Sequence, residues 1–205
     1  MKKRVIMLKG IGYFSLAFAL GLLFLTGACQ NNEFADEIKQ IDSLLAIHQE
    51  TNAILMQVDT VGAKSSREIF AGKWGDISEA IEEVESEEMV RDGGKWEFIT
   101  LYSANDRSLR KLLTRHYRLL ERHERNGDQL NALRQSIRRS HIPKDSVEHY
   151  VMSETMYISE THQEVVHFTP ELIKIHRTLD SLHQYADEAL QYYRALGPKA
   201  KVSEK

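Results

Sequence analysis

With 205 residues, 27 Lys or Arg against 30 Asp or Glu, and a single cysteine, the chain is long enough for one well-cored domain. Its formal charge of −3 provides no basic field of the kind that nucleic-acid binding needs, so no nucleic-acid partner is expected. One cysteine excludes an internal disulfide, so stability must come from packing.

The first element is a leader. Lys2, Lys3, Arg4 and Lys9 precede an uncharged run that reaches Ala28. A basic start, an apolar middle and small residues at the end are the parts of a secretory signal peptide, here 1–28. The competing element is a membrane-spanning helix, which needs about 20 apolar residues. Residues 11–28 are at its short limit, and Gln30, Asn31, Asn32 and Glu33 follow where a stop-transfer segment would be basic.

Leu25-Thr26-Gly27-Ala28-Cys29 resembles the lipobox of bacterial lipoproteins, with Thr26 where leucine is commonest in that class. The resemblance covers the first 29 residues only. It implies cleavage before Cys29, a covalent lipid on that cysteine and a bilayer as partner in the bacterial cell envelope. Gln30 in place of aspartate resembles outer-membrane sorting. Residues 29–33 then form the lipidated N-terminus and a short tether. Loss of the four leader cations leaves 23 basic against 30 acidic residues, a charge of −7.

The remainder, 34–196, reads as all-α: Leu, Glu, Arg, Gln and Ala are frequent and the chain has three prolines. Phe34, Ile38, Ile41, Leu45, His48 and Leu55 mark a first helix over about 34–58. Residues 59–64, with Gly62, read as a loop. A second helix is expected over 65–91, interrupted at Gly72 and Gly75, and ended by Gly93-Gly94. Its acidic stretch from Ser78 to Glu88 reads as a solvated face or as a surface that docks on the basic segment 107–125.

A third helix is expected over about 95–140. Phe98, Tyr102, Asn105, Leu109, Leu112, His116, Leu119, His123, Asn126, Leu130, Leu133 and Ile137 keep a 4-3 spacing, although four of the twelve are polar. Residues 140–145 turn the chain. A fourth helix, 145–196, carries the stronger seam: Val147, Val151, Glu154, Ile158, Thr161, Val165, Phe168, Leu172, Ile175, Leu179, Leu182, Ala186, Ala189, Tyr193 and Leu196. Asp145 and Glu148 form a pair like a capping box at its start. Gly197-Pro198 is expected to end it and release a polar tail over 197–205. Pro170 interrupts the run, yet the phase holds across it, which favours one kinked helix over two.

Two long helices with a short connection form an antiparallel, coiled-coil-like hairpin. Centring the turn near 141–142 makes paired numbers add to about 283. Arg118 then faces Glu164, Arg122 faces Glu160, Arg134 faces Glu148 and Arg138 faces Asp145. The expected fold is an elongated bundle built on this hairpin, with two N-terminal helices.

Candidate chemistry comes from the nine histidines. In this register His116 lies opposite His167, and His123 near Glu160 and His162. Glu164-x-x-His167 has the i, i+3 spacing used by di-metal helical bundles. His116, His123, Glu160, Glu164 and His167 are therefore the metal candidates. Against them stands a register role for His116 and His123 as polar residues at core positions. No nucleophile elbow or glycine-rich phosphate loop is present, and Cys29 is the only thiol, so no enzymatic activity and no cofactor beyond the lipid are expected. Tyr150, Tyr157, Tyr185, Tyr192 and Tyr193 read as packing or as a face for a protein partner. The sequence thus points to an anchored structural or interaction module, with a protein partner or self-association through the helices. A metal- or small-ligand-binding bundle is the alternative.

Overall fold

A computed structural model describes residues 34–84 and 94–200. The leader, Cys29, the tether 29–33, residues 85–93 and the tail from 201 onward lie outside that description. Among the described residues every long element is helical and no strand occurs: α1 (Ala35–Leu55), α2 (Thr60–Glu82), α3 (Gly94–Arg138) and α4 (Lys144–Ala200).

The expected seams are the ones buried. On α4 all fifteen positions are inward, with only Glu154, Ile175 and Leu196 partly exposed. On α3 the four polar members Asn105, His116, His123 and Asn126 are buried, while of the apolar ones Phe98 and Leu112 are only partly buried and their neighbours Ile99 and Leu113 take the inner places. At 1.5 Å per residue α3 extends about 68 Å and α4 about 86 Å. Their register follows the sequence expectation: Arg115 stacks on Phe168, Arg122 reaches Glu164 and Asn126 bonds Thr161. Each pair adds to within four of the expected sum.

α1 and α2 complete the bundle as a third strand. Partners rise together along α4 (Thr51 with His162, Ser66 with His183, Lys73 with Asp187) and fall along α3 (Asp42 with Arg134, His48 with His123, Arg67 with Asp106). The third strand therefore runs parallel to α4 and antiparallel to α3. It breaks only at 56–59, where α1 ends and Asp59 caps α2 by accepting the Gly62 N–H at 2.8 Å.

Several boundaries differ from expectation for local reasons. Gly62 lies in the first turn of α2 rather than in a loop, because Asp59 three residues earlier supplies the cap. Gly72 and Gly75 do not interrupt α2; inward residues Phe70, Trp74, Ile77 and Ala80 hold it through packing. α4 begins at Lys144, so Asp145 sits inside the first turn, where its charge suits the positive helix end, rather than before it as a cap. α4 continues through Pro170 as one helix, and past Gly197 and Pro198 to Ala200, so 197–200 is not tail. A proline inside a helix removes one backbone hydrogen bond, and at both positions the helix continues without it. The charge pairs also shift. Arg115 and Arg122, one heptad apart on the same face, both bind Glu164 at 2.8 and 2.7 Å, in place of Arg118; Arg134 turns to Asp42 on the third strand at 2.7 Å, in place of Glu148.

The hairpin turn is built on Ser140, the only non-glycine with positive φ (53°) among the described residues. The His141 N–H bonds the Ser136 carbonyl at 2.9 Å and the Ser140 N–H bonds Ile137 at 3.0 Å, the two bonds of a Schellman motif. A side chain in the left-handed region costs about 1 kcal/mol that glycine does not incur. Ser140→Gly is therefore expected to raise the unfolding free energy by up to about 1 kcal/mol, read by urea titration; an unchanged or lower midpoint would show that the serine is not strained.

Candidate functional site

The buried apolar residues fall into two clusters. One holds Phe34, Ile41, Leu44, Leu130, Leu133, Ile137, Val147, Val151 and Ile158. The other runs from Leu55, Leu119 and Val165 to Ala189 and Tyr193. Between them lies a polar layer to which every strand of the bundle contributes: His48 and Thr51 from α1, His123 and Asn126 from α3, Thr161 and His162 from α4.

The layer is closed by its own hydrogen bonds. Asn126 Nδ2 donates to Thr161 Oγ1 at 3.0 Å. Thr51 Oγ1 donates to the Ile47 carbonyl at 2.8 Å, so His162 Nδ1, 2.9 Å away, must be the donor to that hydroxyl. The His48 ring lies flat on the His123 ring, centroids 3.7 Å apart and 9° from parallel. Its Nε2 donates to the His123 backbone carbonyl at 2.9 Å. Gly127 makes this approach possible: a Cβ there would fall 2.7 Å from both Cε1 and Nε2 of His48. The glycine that dilutes the helical pattern of α3 is thus the floor under His48. Burial first, and then the neighbouring His48, push the His123 imidazole down to about 4.

A second polar group lies among α2, α3 and α4. Ser66 Oγ is 2.8 Å from His183 Nε2, and Tyr102 Oη is 2.8 Å from His183 Nδ1. Burial pushes the Tyr102 phenol up and is the largest cause of the lowered His183 imidazole, so the chain is neutral: a protonated tyrosine, a neutral histidine and a serine. Arg67 pairs with Asp106 beside it at 2.9 Å. A serine within hydrogen-bond reach of a histidine is nucleophile geometry. Yet Ser66 is 2 % exposed and Tyr102 fully buried, so in this conformation no substrate carbonyl reaches the hydroxyl. Sequence reasoning missed this trio, because its members stand 36 and 81 residues apart and share no local spacing.

The five metal candidates are not brought together. His123 turns to His48, as above. His116 is 1 % exposed, with Nδ1 lacking a hydrogen-bond partner and its imidazole held low by burial. Glu160, Glu164 and His167 line one open groove of about 370 Å³ with Arg115, Gln163, Phe168 and Glu171, and neither buried histidine reaches it. Glu164 is committed to Arg115 and Arg122, which hold its carboxyl low although burial alone would raise it. Among the described residues no group of three or more His, Cys, Asp or Glu side chains is placed to hold a metal ion. The i, i+3 spacing of Glu164 and His167 is real, but it faces outward from the seam.

The tyrosines divide. Tyr193 is buried and Tyr192 packs on the core, whereas Tyr150, Tyr157 and Tyr185 stay about half exposed. No protein-family model, no curated protein and no solved structure matches this chain.

Proposed function

We propose that the protein is a lipid-anchored structural or interaction module of the bacterial envelope, attached through Cys29, exported and sorted to the outer membrane. The observation that carries this reading is Leu25-Thr26-Gly27-Ala28-Cys29 placed directly behind a basic, then uncharged, leader. Two features of the fold support it. The helical bundle begins at Phe34, five residues after Cys29, so the tether is short. The bundle extends about 86 Å along α4, a length that suits a rigid arm holding a partner away from a bilayer. Among the described residues no helix is long and apolar enough to cross a membrane.

Growth with labelled palmitate is expected to mark the protein, and Cys29→Ser to abolish the label while the helical content of the purified protein stays the same. Label retained in Cys29→Ser would overturn the anchor.

A further inference from the structure

The direction of the third strand decides which end of the arm faces the membrane. A hairpin read from sequence reaches outward with its tip. In the structure the tip lies at the end where the chain enters. Phe34 shares one buried cluster with Leu133, Ile137 and Val147, the residues that flank the turn, and Ile142 of the turn itself packs against that cluster. Residues 29–33 span at most about 17 Å when fully extended. A lipid on Cys29 would therefore keep the hairpin turn within reach of the bilayer, and the end where α2 ends and α4 finishes is the one farthest from the anchor.

The chemistry of the turn fits that place. Residues 138–144 contain Arg138, Arg139 and Lys144, of which Arg138 and Lys144 also interact within the protein, and the first acids, Asp145 and Glu148, follow inside α4. Ile142 and Pro143 stand at the apex, and Tyr150 follows within two turns of α4, 48 % exposed. Tyr150, Ile142 and Pro143 also line a groove of about 410 Å³ at this end. Cations at an apex are drawn to anionic headgroups, and small apolar and aromatic side chains beside them are at home in the interface.

We propose that the hairpin turn, with Arg138, Arg139, Ile142, Pro143 and Tyr150, docks on the headgroups of an anionic bilayer and makes the lipid tether into a two-point attachment that sets the arm upright. This rests on the lipidation of Cys29. The second attachment also gives the arm what a single acyl-bearing residue cannot, a defined orientation relative to the membrane.

Because Cys29 is the only cysteine and its thiol would carry the lipid, a cysteine introduced elsewhere takes a fluorophore at one place. The full-length lipidated protein with His141→Cys, or with Gly75→Cys in α2, is reconstituted into phosphatidylglycerol-containing vesicles. Bromine-labelled lipid is expected to quench the fluorophore at 141 several-fold more than at 75, and iodide in solution to show the reverse order. Adding Arg138→Glu and Arg139→Glu is expected to bring the two positions together. Equal lipid quenching at 141 and 75 in the parent protein would overturn the proposal. So would protection of 141 that persists in detergent and grows with protein concentration, which would indicate a second copy on this surface. The mass of the purified protein is read first: an unmodified Cys29 would overturn the anchor itself, and is thereby distinguished from a lipidated protein whose turn stays in water.

Discussion

Between about pH 6.5 and about pH 4 the bundle is expected to lose roughly 3 kcal/mol of stability through His123 alone. In the unfolded chain this imidazole takes a proton near 6.5. In the folded chain burial and the stacked His48 delay protonation to about 4. Within that interval the unfolded state binds more protons, so stability falls as pH falls, and the stabilising contribution is fully present only above the unfolded value. His116 and His183 are lowered as well, chiefly by burial, and act in the same direction. Glu164, held low by Arg115 and Arg122, adds a loss at the acid end, reduced by its partial exposure. Glu154 opposes them: burial raises its carboxyl, so its protonation favours the folded chain. Three lowered histidines against one raised carboxyl set the net sign. Melting temperature measured from neutral pH to about pH 4.5 is expected to fall steeply in the parent and less in His123→Leu, which keeps the volume and removes the titration. A parent whose melting temperature holds across the range, or a variant with the parent's slope, would show that His123 is protonated in the fold at little cost.

The strict 4-3 spacing of α4 made its seam legible, since a pattern sustained over so many turns has one periodic explanation. The hairpin register was legible too, because a short turn leaves an antiparallel pair little freedom. What looked like dilution on α3, the polar seam positions His123 and Asn126, is the polar layer that separates the two apolar clusters. A single sequence shows that such residues are out of place; it does not show their partners, because Thr51 and His162 are 111 residues apart and His48 and His123 75. The third strand was hardest to read. Its glycines suggest breaks, and the four residues 56–59 shift the phase between α1 and α2, so no one period describes both. Gly62 illustrates the ambiguity: the same residue type marks a loop in one context and fills the first turn behind an aspartate cap in another. Glu164 and His167 stand beside the seam positions Val165 and Phe168, so the sequence already sets their shared face at the flank of the core, and the structure places both on one open groove there.

The layout also gives the buried polar groups a common purpose. Long three-strand packing has many nearly equivalent registers, because one heptad of slip exchanges one leucine contact for another. His48 on His123 and Asn126 on Thr161 cannot be satisfied after such a slip. The Ser66, His183 and Tyr102 chain does the same for α2, so each half of the broken third strand has its own polar lock.

Gly127 is the position at which that lock is most exposed to disruption. Gly127→Leu is expected to destabilise the protein by about 2 kcal/mol despite a helix-propensity gain of about 1 kcal/mol. The introduced Cβ would meet Cε1 and Nε2 of His48 at 2.7 Å. A free ring could swing aside at small cost, but this one is stacked on His123 at 3.7 Å and bonded to its carbonyl at 2.9 Å. Moving it forfeits the stack and the hydrogen bond, each worth about 1 kcal/mol, and leaves the buried carbonyl with one partner fewer. Gly75, with nothing within 4 Å of an added Cβ, is the control: Gly75→Ala is expected to gain up to about 1 kcal/mol. A double-mutant cycle isolates the contact. His48→Ala removes the ring that the introduced leucine side chain would strike, so the pair is expected to be more stable than the sum of the single changes by about 1 kcal/mol or more. Urea unfolding of the four proteins reads the cycle. If Gly127→Leu matched Gly75→Ala in raising stability, or if the two changes were additive, His48 would not rest on the backbone of α3, and Thr51 to His162 would be the polar layer's remaining link to the third strand.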